Sequence, residues 1–173
     1  MYVIDGYNLL HTLARHPGAL PGDDDRARAR LVEMLSALAV RESTTARVFF
    51  DGTGGNVSAG DLAAPKVRVT FCGPATGSAD DAIVDFVEGH NHPRQLKVVS
   101  ADREVTSACK LAGARIVHSR DMSETLARMA PAQVERSEPE KPTRGAIGKL
   151  EQEMLDDIGE FGEFQREVED ELG

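Results

Sequence analysis

The sequence predicts an α/β fold: a mostly parallel five-stranded sheet under helices on both faces, followed by a C-terminal helical tail. Three observations carry this expectation. Tyr2-Val3-Ile4, Val48-Phe49-Phe50, Leu96 to Val99 (interrupted only by Lys97) and Ile116-Val117 are short, mainly apolar runs, as in strands buried on both faces. The segments between them place apolar residues every three or four positions, the period of an amphipathic helix. The resulting order of strand, helix, strand, helix is that of βαβ units.

Each element follows in turn. Tyr2-Val3-Ile4 is the first strand, and Asn8 to about Arg15 makes one or two helical turns. Pro17, Gly18, Pro21 and Gly22 form a loop. Asp23, Asp24 and Asp25 open a long helix, where negative charge suits the positive end of the helix dipole, and Ala27, Leu31, Met34, Leu35 and Leu38 form its stripe. Val48-Phe49-Phe50 ends at Asp51-Gly52, and residues 52–65, rich in Gly, Ser and Ala, make a loop or flap. Lys66 to Phe71 alternates, with Lys66, Arg68 and Thr70 on one face, as in an edge strand with one wet side. Ser78 to Glu88 is a helix with Ile83, Phe86 and Val87 inward; Leu96 to Val99 is a strand; Asp102 to Leu111 is a helix stopped by Gly113. Ile116-Val117 and Met122 to Met129 complete an expected domain over residues 1–130. Pro131, Pro139 and Pro142 mark a charged linker, 131–148, and Leu150, Met154, Ile158, Phe161, Val168 and Leu172 give residues 149–173 the pattern of an acidic amphipathic helix.

The chain has 173 residues, 40% apolar, enough for one sizeable core. No apolar run reaches the roughly 18–20 residues of a membrane span, and MYVIDGYNLL has no basic segment before an apolar one, unlike a signal peptide. Cys72 and Cys109 are the only cysteines and lack metal-thiolate spacing; buried free thiols and a cytoplasmic location are expected. The net charge of −9 argues at first against a nucleic-acid partner. Its distribution weakens that argument, because residues 1–130 carry 15 basic and 16 acidic side chains whereas residues 131–173 carry 5 and 13.

The informative feature is where the acids fall. Asp5 ends the first strand and Asp51 the second; Ser78-Ala79-Asp80-Asp81 begins the helix after the third, and Ser100-Ala101-Asp102 follows the fourth. In an open parallel sheet the carboxyl ends of the strands form one rim, where ligands bind. Carboxylates gathered there repel one another and call for a counterion, for which a hard divalent cation is suited. Such a cation activates water and neutralises phosphate oxygens. Local chemistry competes with this reading. Asp51-Gly52 is ordinary turn chemistry, Ser78-x-x-Asp81 matches a capping box, and Ser100 or Asp102 suits a helix N-cap. Asp80 is left unexplained by capping. Asn8 can hydrogen-bond Asp5 or a phosphate without adding charge. Asp85, His90 and His92 read as solvated or loop residues, His11 as a surface residue.

The stretches VIDGYNLLH, VFFDG, VRVTFCGPATGSADDAIVDFV and VVSADREV occur in this order, and the chain resembles the NYN domain, a branch of the PIN-like nucleases, most closely the YacP-like group. The resemblance spans about residues 1–130, and EKPTRGAIGKL with the acidic helix after it resembles the end of YacP-like chains. It implies a Rossmann-like three-layer fold with strand order 3-2-1-4-5. It also implies a metal-dependent endoribonuclease using Mg²⁺ or Mn²⁺, with Asp5, Asp80 and Asp102 as catalytic and metal-binding acids, supported by Asn8, Asp51, Asp81 and Ser100. Arg15, Arg26, Arg30, Lys66 and Arg68 are the expected contacts to RNA, presented free or within a ribonucleoprotein. The electrostatic balance departs from a nuclease with an evident basic surface and motivates an alternative, a non-catalytic RNA- or ribonucleoprotein-binding module. Haloacid dehalogenase-like phosphatases need an Asp where Tyr7 stands, and receiver domains need a Lys late in the sheet, where His118-Ser119 stands. The tail is expected to pack on the body, to act as a regulatory arm whose acids mimic RNA, or to pair with a partner or second copy.

Overall fold

The computed structural model describes residues 1–129 apart from Thr53 and 55–57. The expected linker 131–148 and terminal helix 149–173 lie outside the described residues.

β1 (Tyr2–Asp5) is buried throughout and lies at the centre of the sheet. Its side chains divide between two cores, Tyr2 and Ile4 into one and Val3 into the other, which is why the run shows no polar alternation. β2 (Ala46–Asp51) and β4 (Lys97–Val99) flank it in parallel, with Ile4 opposite Val48 and Val99. β3 (Val67–Cys72) pairs with β2 and β5 (Arg115–Val117) with β4, giving the all-parallel order β3-β2-β1-β4-β5. α1 (Gly6–Leu13), α2 (Asp24–Arg41) and α5 (Ser119–Met129) cover one face through Leu9, Leu13, Leu31, Leu35 and Leu126. α3 (Ala79–Glu88) and α4 (Arg103–Leu111) cover the other through Ile83, Val87, Val105 and Cys109. Phe50 is fully buried under α1, a side chain whose burial contributes about 2–3 kcal/mol.

Several boundaries differ from the sequence reading, the largest at α5, which starts at Ser119 rather than Met122. α1 starts at Gly6 rather than Asn8, because the carboxylate of Asp5 caps it, accepting the Asn8 N–H at 3.1 Å. β2 is longer than its apolar triplet, since Ala46 and Arg47 still pair with both neighbours. Lys66 stands outside β3 with φ +63°, in the turn that feeds it, while Arg68 keeps the exposed place expected on an edge strand. The Gly in the DGYN stretch has a packing cause. A Cβ on Gly6 would overlap the ring of Phe50 and lie 2.8 Å from the Phe49 carbonyl oxygen, so α1 sits closer to β2 than any other residue permits. Cys72 and Cys109 are buried free thiols, and no helix among the described residues is long and apolar enough to cross a membrane.

Candidate active site

Parallel strands put all five carboxyl ends on one rim, and the N-termini of α1, α3 and α4 begin there. Their positive ends offset part of the charge of the carboxylates around them. Asp5 is the buried member, 8% exposed. Its Oδ1 accepts the Asn8 N–H, and its Oδ2 accepts the hydroxyl of Ser100 at 3.2 Å. Ser100, fully buried, in turn accepts the Asp102 N–H at 3.0 Å, so one hydroxyl joins the end of β1 to the start of α4. Asn8 is fixed as firmly. Its Oδ1 accepts the Ala101 N–H at 3.1 Å and the hydroxyl of Ser119 at 2.6 Å. With two donors on the oxygen, the amide orientation is determined, and the NH₂ group remains a donor with no acceptor among the described residues.

The remaining acids occupy the same rim in different ways. Asp51 accepts the Ala79 N–H at 2.7 Å, tying the end of β2 to the first turn of α3. Ser78 caps α3 as expected, its Oγ accepting the Asp81 N–H at 3.1 Å, but the box is not closed: Asp81 Oδ2 accepts the Ser78 hydroxyl at 2.7 Å rather than the Ser78 backbone N–H. Asp102 caps α4 through Oδ1, which accepts the N–H groups of Glu104 and Val105, while Oδ2 accepts no hydrogen bond among the described residues. Asp80 is exposed and likewise engages no protein donor there.

These groups act on one another. Burial raises the pKa of Asp5 above the ordinary carboxylate value, and the charges of Asp80 and Asp51 raise it further, against the hydrogen bonds from Asn8 and Ser100. Asp80 is also raised, by partial burial and then by Asp102, Asp51, Asp81 and Glu104. No basic side chain forms an ion pair with these acids among the described residues. All the donors are hard oxygens, the chemistry that suits Mg²⁺ or Mn²⁺. Among the described residues no three His, Cys, Asp or Glu side chains are gathered closely enough to hold one ion. Asp5, Asp80 and Asp102 therefore form no direct three-carboxylate cage. The rim fits a cation held by one or two carboxylates and completed by water, the usual manner of Mg²⁺.

The cations expected to meet RNA are dispersed. Arg26 and Arg30 lie in the first turns of α2, Arg26 exposed and Arg30 paired with Glu33 at 3.3 Å. Arg15 is exposed in the turn after α1, and His11 is exposed on α1. Lys66 and Arg68 stand at the amino edge, where strands begin, and so at the end of the sheet opposite the acids. Parallel pairing forbids their sharing the rim with Asp5. Three contributors were missed by sequence reasoning. Ser119 follows the last strand, the same kind of position as the acids, and that was a usable signal. Glu104 lies in the first turn of a helix that begins at the rim. Arg28, buried on α2, donates to the Tyr7 hydroxyl at 2.7 Å and the Gly54 carbonyl at 3.0 Å and pairs with Asp25, anchoring the loop after β2; no sequence signal separated it from its neighbours.

The comparisons with known proteins agree with this architecture. The model of the YacP-like NYN domain matches residues 2–162. The crystal structure of Rae1 (YacP) from Bacillus subtilis is similar with a TM-score of 0.54 and 22% identity, covering 94% of each chain. A point mutant of the same protein is similar with a TM-score of 0.56 and 20% identity, covering 74% of this chain and 77% of that one. At these identities the likeness concerns the fold. No curated protein matches the chain. With its five-stranded parallel sheet in the order 3-2-1-4-5, its strand-end acids and a family match over nearly its whole length, this chain belongs to the YacP-like NYN domain family, a nuclease-type fold.

Proposed function

We propose that this protein is a Mg²⁺- or Mn²⁺-dependent endoribonuclease that cleaves RNA phosphodiester bonds at the carboxyl edge of its sheet, in the cytoplasm. The observation that carries the reading is a chain of uncompensated acids: Asp80 and Asp51 repel the buried Asp5, Asp102 repels Asp80, and none of them forms an ion pair with a basic side chain among the described residues. Of Asp5, Asp80 and Asp102, one or two would hold the cation directly and the rest would reach it through water. The cation supplies activation of water and neutralisation of charge on the scissile phosphate. Ser100 and the Asn8 N–H keep Asp5 in one orientation, which preserves the spacing of the carboxylates as substrate arrives. The NH₂ group of Asn8 donates to a phosphate oxygen, adding affinity without adding charge. Asp51 and Asp81 fix the start of α3, and with it Asp80.

The test is cleavage of RNA in the presence of Mg²⁺ or Mn²⁺, wild type against Asp80→Asn. Asp80 holds no helix cap and no hydrogen bond among the described residues, so the substitution leaves the fold intact. Cleavage falls by about 100-fold or more if the reading holds. Equal rates in the two proteins overturn it. The lack of a three-carboxylate cage favours one second reading, a non-catalytic RNA- or ribonucleoprotein-binding module, which requires binding without metal and no cleavage in either protein.

A further inference from the structure

The amino edge of the sheet carries charge of the opposite sign. A cleft of about 340 Å³ there is lined by Met1, Thr45, Arg47, Lys66, Arg68 and Phe86, among others. Arg47 and Arg68 are register partners on β2 and β3, so their side chains leave the sheet on the same face, side by side. Like charges directly opposite on neighbouring strands destabilise a sheet. Neither guanidinium nor Lys66 has a carboxylate partner among the described residues. The neighbouring cation Lys97 is treated differently, for it meets Glu42 at 3.4 Å and the Tyr2 hydroxyl at 3.0 Å. Arg47 lies over the rings of Phe86 and Phe49, 4.8 and 5.3 Å from their centroids, which holds the guanidinium in place. Its Nε is buried and lacks an acceptor. Burial first, and the charge of Arg68 second, hold Arg47 below its ordinary pKa.

Two arginines leaving the sheet side by side, with a lysine beside them and no ion-paired acid among the described residues, make an arrangement completed by an anion. Planar guanidinium groups match phosphate oxygens in bidentate fashion. We propose that the cleft of Arg47, Lys66 and Arg68 is a second RNA contact, binding a backbone phosphate remote from the bond that is cut. Its RNA occupant rests on the reading of the rim as a nuclease site. β2 advances about 3.3 Å per residue, so its five steps separate the two edges by roughly 17 Å. The contact thus supplies affinity and orientation without touching the reacting phosphate. It also resolves the electrostatic difficulty of a near-neutral body, because the cations lie away from the acids.

The experiment uses the full chain and a fluorescent single-stranded RNA oligonucleotide in EDTA, so that binding is read without cleavage. Arg68→Glu places a carboxylate on an exposed position opposite Arg47, where it neutralises the pair. The contact to that phosphate is then lost. RNA affinity is expected to fall at least about 10-fold, and the slope of log K against log salt to shrink by roughly 0.7 units, the share of one single-strand phosphate contact. The thermal midpoint of the free variant rises, and inorganic phosphate raises the midpoint of the wild type but not of the variant. Lys66→Gln gives a smaller loss of affinity in the same direction. Equal RNA affinity and slope in wild type and Arg68→Glu overturn the proposal, as does a wild type that binds no RNA in EDTA. Stabilisation by phosphate with unchanged RNA affinity makes the cleft a small-anion site and also overturns it. Cleavage by Asp80→Asn reports on the rim alone, so a failure of the nuclease reading is distinguished from a failure of this site.

Discussion

The hydroxyl of Ser100 donates to Oδ2 of Asp5 across 95 residues of chain, at 3.2 Å, and Ser100 Oγ itself accepts the Asp102 N–H. One buried hydroxyl thereby sets the position of the central acid and the start of the helix that carries another. Ser100→Ala removes a donor that lowers the pKa of Asp5, so that pKa rises further. In a rate against pH profile the acid limb moves to higher pH. Cleavage at neutral pH falls about 10-fold, as for other changes one contact away from a metal ligand, and the fold loses about 1 kcal/mol. An unmoved acid limb would show that Ser100 is structural only.

The raised pKa of Asp5 has a consequence for stability. Its ordinary value, 3.8, applies to the unfolded chain, and the folded value lies above it. Above the folded value both states are ionised, and the folded state bears the cost of a buried, repelled carboxylate. As pH falls through the folded value, the native state takes up its proton first, so this cost is relieved. Metal-free Asp5→Asn is therefore more stable than metal-free wild type at pH 7, on the order of 1 kcal/mol, and the difference shrinks as pH approaches 4. Urea denaturation of both proteins at pH 7, 5.5 and 4 checks the sign. A variant less stable at pH 7 contradicts it.

The cation proposed for the rim would stabilise the folded chain, because the unfolded chain brings no carboxylates together. Titrating Mg²⁺ or Mn²⁺ to about 100 times its dissociation constant adds roughly 2.7 kcal/mol of stability. Asp80→Asn loses most of this gain in thermal unfolding, while Asp85→Asn, exposed on the outer side of α3, keeps it. Equal gains in both variants would place the cation elsewhere.

Gly6→Ala strains the fold and the site together. The new Cβ meets the Phe50 ring and the Phe49 carbonyl, and α1 has to move outward to receive it. Stability falls by about 1–3 kcal/mol, the usual cost of overpacking a core. Since Asn8 lies in the first turn of α1, its contacts to Ala101 and Ser119 lengthen as well. Chemical denaturation measures the first effect and the amide ¹⁵N–¹H shift of Ala101 the second.

Much of this molecule is readable along the chain because the causes are local. A run buried on both faces shows no polar alternation, as in Tyr2-Val3-Ile4; an amphipathic helix shows a 3–4 period, as in α2; and a helix cap such as Ser78 over the Asp81 N–H closes within one turn. The strand-end position of Asp5, Asp51 and Asp102 is equally local, and with parallel pairing it directs them to one rim. The same reasoning applied to strand beginnings would have sent Lys66 and Arg68 to the other edge. Their polar alternation was legible, but their edge was not inferred from it.

The amino-acid sequence by itself determined the elements, the two-sided burial of β1 and the choice of acids at strand ends, since each depends on residues within a few positions of one another. Only the tertiary structure decided that Ser100 holds Asp5, that Ser119 orients Asn8 from 111 residues away, and that Arg47 stands beside Arg68. Those relationships depend on strand register and helix packing, which sum many weak contacts over the whole domain. No short stretch of chain encodes them, and they separate the acids of one sheet edge from Arg47, Lys66 and Arg68 at the other, which form no ion pair among the described residues.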